Sequence, residues 1–302
     1  MRSGQASRTA EHNALFRTLE ASFPPGVRLF DDPLAPALLT WPLSVLRPLV
    51  GLPGGGRMVC KIIDGRWPGV RTSVAARTRL IDDTLGAMTQ RQLGQLVILG
   101  AGFDTRPYRL ERLRSVSVFE VDHPDTQAAK RAALRRVRPT LPGNVTFVPS
   151  DLNVGALAQT MTQAGYRPDQ PTVFLWEGVT NYLTEPTVDS TLRWCARTAA
   201  VGSVVLFTYV HSDVLENPDA FVGARRLHAT LDKVGEQLTF GMDPNDMQVY
   251  LADRGLELEW DCGAAAYRAR YFGERAAAMV GHEFYRVALA RVRNPNTKAV
   301  AQ

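Results

Sequence analysis

An α/β fold built on a doubly wound, mostly parallel sheet is what this sequence of 302 residues predicts. Three observations carry the prediction. Short apolar runs alternate with longer helical patterns from residue 95 onward. Runs such as VFLW and VVLF are apolar throughout, as strands buried on both faces require. Residues 95–126, QLVILGAGFDTRPYRLERLRSVSVFEVDHPDT, read as strand, glycine turn, connector, strand and acid. That order is the sequence form of a Rossmann-like nucleotide pocket.

The elements follow in chain order. Residues 1–10 are polar and expected to be disordered. Residues 11–60 hold short helical patterns interrupted by Pro24, Pro25, Pro33, Pro36, Pro42, Pro48 and Pro53. The GLPGGG stretch, Gly51–Gly56, reads as a mobile loop. It is no phosphate cradle, because no strand precedes it and no Gly-Lys-Ser/Thr follows. A helical pattern runs from Val70 to about Thr89, with Val74, Arg77, Thr78 and Ile81 on one face. Strands are expected near 95–99, 116–121, 145–148, 172–176 and 203–209, and helices near 123–137, 154–164 and 185–199. A polar segment, 211–242, interrupts the alternation. A helix over 244–254, strands over 256–261 and about 283–291, and a frayed tail at 293–302 complete the chain.

Composition bounds the function. The chain is 45% hydrophobic and 22% charged, enough apolar material for a substantial core. It has no run of 18 apolar residues, so no membrane span is expected. MRSGQASRTAEHNALF lacks the apolar centre of a signal peptide. Cys60, Cys195 and Cys262 are too few and too scattered for a disulfide framework, and no His/Cys/acid group has metal-ligand spacing. A reducing cytoplasm and no metal are the expectation. The net charge of +5 comes from 31 arginines and only four lysines, dispersed without a basic stripe. That argues against a nucleic-acid partner, though it is compatible with an anionic small molecule. Oligomeric state is not written in the sequence.

Several residues stand where chemistry would need them. Gly100 and Gly102 leave no Cβ at the end of the first strand, so backbone can approach a ligand closely. The third glycine of a dinucleotide fingerprint would fall at Thr105, which weakens a nicotinamide-cofactor reading. Asp122 lies 22 residues beyond Gly100, where ribose hydroxyls would need an acceptor. Alternation puts Glu120 on the same side of that strand, with one acid for the ribose and the other for the loop. Pro124 begins the next helix, with His123 or Asp122 near its cap. Asp151 and Leu152 follow the third strand, within reach of an adenine. Glu177 follows the fourth strand and faces the same crevice, with Tyr182 five residues on. Arg77 interrupts an apolar helical stripe. It needs a partner, either Asp82 or Asp83 or a ligand carboxylate bound bidentately. His211, after the fifth strand, could stand at the pocket mouth as a base. No Gly-x-Ser-x-Gly elbow occurs.

RTRLIDD (77–83), VILGAGFDTRPYRL (97–110), FEVDHPDTQAAKRAAL (119–134), FLWEGVTNYL (174–183) and LTFGMDP (238–244) appear in this order. Together they resemble the leucine carboxyl methyltransferase family, especially its bacterial branch, which includes polyketide carboxyl methyltransferases. The resemblance covers about residues 12–292. It implies a seven-stranded class I methyltransferase sheet (71–292) under an N-terminal helical lid (1–70), with an acceptor-site insertion at about 211–242. It implies S-adenosylmethionine as cofactor. Arg77 would hold its carboxylate, and Gly100 and Gly102 its methionine and ribose. Asp122 would hold the ribose hydroxyls, Asp151 and Leu152 the adenine, and Glu177 the amino group or the adjoining loop. Tyr182 would border the reacting methyl.

The expected reaction is O-methylation of a small-molecule carboxylate or hydroxyl, in secondary metabolism. A carboxylate acceptor needs no base, whereas a hydroxyl would want one, with His211 or Glu177 as candidates. A nicotinamide-dependent oxidoreductase and a catalytically silent cofactor-binding module are the rival readings.

Overall fold

The computed structural model describes residues 8–152 and 157–293. Seven strands form one sheet: β1 (Gln95–Leu99), β2 (Ser117–Asp122), β3 (Val145–Pro149), β4 (Thr172–Trp176), β5 (Val204–Val210), β6 (Leu256–Gly263) and β7 (Tyr285–Val292). The helices are α1 (Arg8–Ala21), α2 (Leu46–Gly51), α3 (Gly55–Arg66), α4 (Val70–Thr89), α5 (Arg106–Arg109), α6 (Pro124–Val137), α7 (Leu157–Gln163), α8 (Glu185–Thr198), α9 (Asp213–Glu216), α10 (Ala224–Val234), α11 (Met247–Ala252) and α12 (Ala264–Phe272).

The strand order is β3-β2-β1-β4-β5-β7-β6. β1 to β5 are parallel, and β7 enters antiparallel between β5 and β6. The chain runs outward from β1 to β3, then returns to β4 on β1's other side. The carboxyl ends of β1 and β4 therefore flank a topological switch point, where open α/β sheets bind ligands.

Both faces of the sheet are covered, which explains the continuously apolar strands. Val97, Leu99, Phe174 and Trp176 point to one face, where they join Leu192 and Cys195 of α8. Ile98, Leu175 and Leu206 point to the other, against Leu80, Ile81 and Leu85 of α4 and Tyr267 of α12. The helices before α4 share a third cluster, in which Leu15 and Leu19 of α1 and Val59 and Ile63 of α3 pack with Phe103 and Tyr108. No helix among the described residues is long and apolar enough to cross a membrane.

Several expectations need correction. The segment 211–242 carries α9 and α10, because its Leu227 and Val214 pack beside Phe221 and Phe284. Gly51–Gly56 is the junction of two helices, with α2 ending at Gly51 and α3 starting at Gly55. Gly54 enables it with φ +78°, and a Cβ on Gly55 would stand 1.9 Å from the Leu49 carbonyl oxygen. Residues 8–10, expected to be disordered, already belong to α1. The helix expected at 154–164 is seen as Leu157–Gln163, its first residues lying outside the described ones. The helix over 244–254 is shorter, Met247–Ala252. The tail at 294–302 also lies outside the described residues.

Candidate active site

The site begins where β1 stops. Gly100 and Gly102 turn the chain with φ +65° and +43°, angles that side chains rarely tolerate. A Cβ on Gly100 would stand 2.5 Å from Val179 Cγ2, and one on Gly102 would stand 3.3 Å from the Ala10 Cβ of α1. Replacing Gly100 by alanine is therefore expected to lower stability by about 1–3 kcal/mol. Urea denaturation would measure it, and partial recovery with Val179→Ala would assign the loss to that contact.

Asp122 faces this turn from the end of β2. Its carboxylate accepts hydrogen bonds from the Gly102 amide and, at 2.6 Å, from the His123 amide. Burial raises its pKa, while the two backbone donors oppose that shift. His123 caps α6 by accepting from the Asp125 amide through Nδ1. Glu120 does not reach the site. It is fully buried two residues earlier and pairs with Lys130 of α6 at 2.8 Å. Burial pushes the Glu120 carboxyl up to about 7 despite the nearby ammonium.

Thr105, at the position of a third glycine, is buried and donates its hydroxyl to Asp32 at 2.6 Å. The helix that follows, α5, is only four residues long. A dinucleotide fold sets the N-terminus of a full helix against the pyrophosphate, and no such helix follows this turn.

A chain of buried ion pairs runs behind the turn. Arg17 of α1 pairs with Asp32 at 2.9 Å and also donates to the Phe103 carbonyl. Arg109 lies 3.9 Å from Asp32 and 2.7 Å from Asp82. Arg106 pairs at 2.7 Å with each of Asp82, Asp104 and Glu177. Glu177 closes the chain on Arg77 of α4 at 2.8 Å. The partner of Arg77 is thus Glu177, and neither Asp82 nor Asp83. Four guanidinium groups meet four carboxylates, so the network is neutral.

One cavity of about 710 Å³ opens over the carboxyl ends of β1, β2 and β4. Gly100, Gly102, Asp122, Asp151, Leu152, Arg77, Glu177 and Tyr182 all line it. Burial raises the Tyr182 phenol well above its usual range, with Tyr285 and Glu236 adding to the effect.

His211 is not in this wall. The chain turns from β5 directly into α9, and the His211 Nδ1 accepts from the Asp213 amide there while its ring lies beside Phe221. Glu177 lines the cavity but is no proton acceptor near neutrality. Burial alone would raise its pKa, but Arg106 and then Arg77 outweigh burial and hold it at about 2.

Sequence reasoning passed over Asp104, Arg106, Arg17 and Glu236. The first two sit in DTRPYR, immediately after the glycine turn, where an Asp-x-Arg pair was the available signal. Arg17 and Glu236 come from the helical N-terminus and from the segment after α10, far away in the chain. No periodicity connects them.

A mostly parallel seven-stranded sheet, with a glycine turn and an acid at its switch point, is the Rossmann-like architecture of S-adenosylmethionine-dependent methyltransferases. The sequence model of the leucine carboxyl methyltransferase family matches residues 10–196, and the chain belongs to that family. The chain is 34% identical over 201 residues to a "Putative S-adenosyl-L-methionine-dependent methyltransferase" of Parafrankia sp. (strain EAN1pec). That match covers 67% of this chain and 62% of the relative, so the chain spans less than two thirds of that relative's length. It is 30% identical over 259 residues to a protein of the same description from Streptomyces coelicolor, with 84% of each covered. A crystal structure of a "duf574 family protein" from Streptomyces avermitilis shares the fold. Its TM-score is 0.61 at 12% identity, over 96% of this chain and 99% of the other.

Proposed function

We propose that this protein transfers a methyl group from S-adenosylmethionine to an oxygen of a small-molecule acceptor. The observation that carries the reading is one cavity in which the glycine turn, Asp122, Arg77 and Glu177 converge. When bound, the cofactor supplies a methyl group on a sulfonium, a leaving group that needs no protonation.

The residues fit such a ligand. The turn lets backbone approach it, and side chains there are opposed by the positive φ of both glycines and by Val179 against Gly100. Asp122 uses one lone pair of each oxygen on backbone amides and keeps others for ribose hydroxyls. Arg77 binds Glu177 through Nε, so its Nη groups suit a carboxylate. Glu177, held ionised by two arginines, suits an ammonium. Asp151 and Leu152 stand at the adenine end, and Tyr182 borders the methyl. Residues 1–70 act as a lid, since Thr9, Ala10 and Asn13 of α1 wall the cavity. The chain's contribution is to position two reactants and exclude water, which is worth up to roughly 7–11 kcal/mol of the barrier. We infer an acceptor drawn from secondary metabolism.

Titration calorimetry with S-adenosylmethionine and S-adenosylhomocysteine is the test, and no binding of either overturns the reading. Asp122→Ala is expected to weaken that binding about 10- to 100-fold. Unchanged affinity would move the ribose role elsewhere.

A further inference from the structure

Beyond the groups assigned to the cofactor, a second stretch of the cavity wall includes Thr9, Asn13, Tyr182, Asp232, Glu236 and Thr239, with Thr9 and Glu236 joined by a hydrogen bond. This second wall carries two carboxylates and, among the described residues, no cation. Among the described lining residues only Arg17 and Arg77 carry a permanent positive charge, and in the methyltransferase reading the free Nη groups of Arg77 go to the carboxylate of the cofactor. Arg17 is held by Asp32 and the Phe103 carbonyl, and Arg77 by Glu177.

Glu236 is aimed across the cavity. Its Oε2 accepts a hydrogen bond from the Thr9 hydroxyl of α1 at 2.5 Å. A neutral hydroxyl is therefore the kind of group this carboxylate already binds in the closed arrangement. Asp232 lies four residues earlier in the chain, exposed in the last turn of α10. An acceptor carboxylate brought to this wall would meet two like charges, a repulsion felt most at low salt because Asp232 is exposed. An acceptor hydroxyl would instead donate to Glu236 in place of Thr9. An ammonium elsewhere on the acceptor would be attracted.

Resting on the methyltransferase reading, we propose that Glu236, assisted by Asp232, determines acceptor class: it selects hydroxyl compounds that are neutral or cationic and rejects carboxylates. Glu236 is a specificity-determining residue, set apart from the groups that hold the cofactor.

The test uses the full chain saturated with S-adenosylhomocysteine and two phenols of matched size, tyramine and 3-(4-hydroxyphenyl)propionate. Calorimetry should show tyramine binding at least about tenfold tighter at low salt. Glu236→Gln should shrink that ratio, and adding Asp232→Asn should bring it close to one, with S-adenosylhomocysteine affinity unchanged. That unchanged affinity also reports a folded variant. Equal or tighter binding of the carboxylate by the original chain overturns the proposal. So does a ratio that survives both substitutions, or failure of tyramine to bind at millimolar concentration. Failure of S-adenosylhomocysteine itself to bind would instead overturn the cofactor reading.

Discussion

Replacing Arg106 by methionine is expected to lower the free energy of unfolding by about 3–5 kcal/mol, the usual consequence of breaking a buried ionic network from one side. The side chain is 3% exposed and bridges Asp82, Asp104 and Glu177 at 2.7 Å each. Without it, three carboxylates would share a space from which water is largely absent. Urea denaturation at neutral pH measures the loss, and a change below about 1 kcal/mol would mean that water enters and takes over the role.

The pH dependence of the same network has a defined sign. Glu177 is held at about 2, below its ordinary value of 4.5. A carboxyl whose folded pKa is depressed contributes stability that is complete above its unfolded value. That contribution is lost as the pH falls through the folded one. The original chain should therefore lose this contribution between roughly pH 4.5 and pH 2. In Arg106→Met the loss should be smaller and complete at a higher pH, because the neighbour that lowers Glu177 most is gone and its folded value lies closer to the unfolded one.

Lys130→Met is expected to be about as damaging, at about 3–5 kcal/mol near neutral pH, because it strands the buried Glu120 carboxylate two residues before Asp122. Both partners are essentially inaccessible, Lys130 at 1% and Glu120 at 0%. Here the linkage runs the other way. Burial raises the Glu120 pKa to about 7, so its ionisation opposes folding as the pH climbs from about 4.5 through 7. The single variant should be least damaged in mild acid. The double variant Lys130→Met with Glu120→Leu should recover most of the loss, since an apolar pair of similar volume avoids desolvating two ions. Thermal unfolding of the three proteins across that pH range decides the matter, and a double variant no better than the single would overturn the assignment.

How much could be read in advance differs between the sheet and the site. The strands were legible because each is a short apolar run closed by a turn signal, and burial on both faces removes ambiguity. The helices α9 and α10 were not, since their apolar residues serve a small satellite cluster around Phe284 and leave a mostly polar pattern. Glycine-rich Gly51–Gly56 misled for a related reason. Glycines that serve close approach look in sequence like glycines that serve mobility.

Within the site, Gly100, Asp122, Asp151 and Glu177 could be singled out because each lies at or just past the end of a parallel strand, and all such ends reach one crevice. His211 follows a strand too. Its strand borders antiparallel β7, and the chain leaves at once into α9. Glu236 had no strand to announce it and became apparent only once α1 was seen across the cavity from it.

The neutrality of the Arg17–Asp32–Arg109–Asp82–Arg106–Asp104–Glu177–Arg77 network has an evolutionary consequence. No member can change charge alone without stranding its neighbour, so single substitutions there should be purged even where they touch no ligand. In descendants of this chain these eight positions should be inherited as a block or altered in compensating pairs. Among the described residues, Glu236 is in no such network, and substitutions around it should be tolerated more readily.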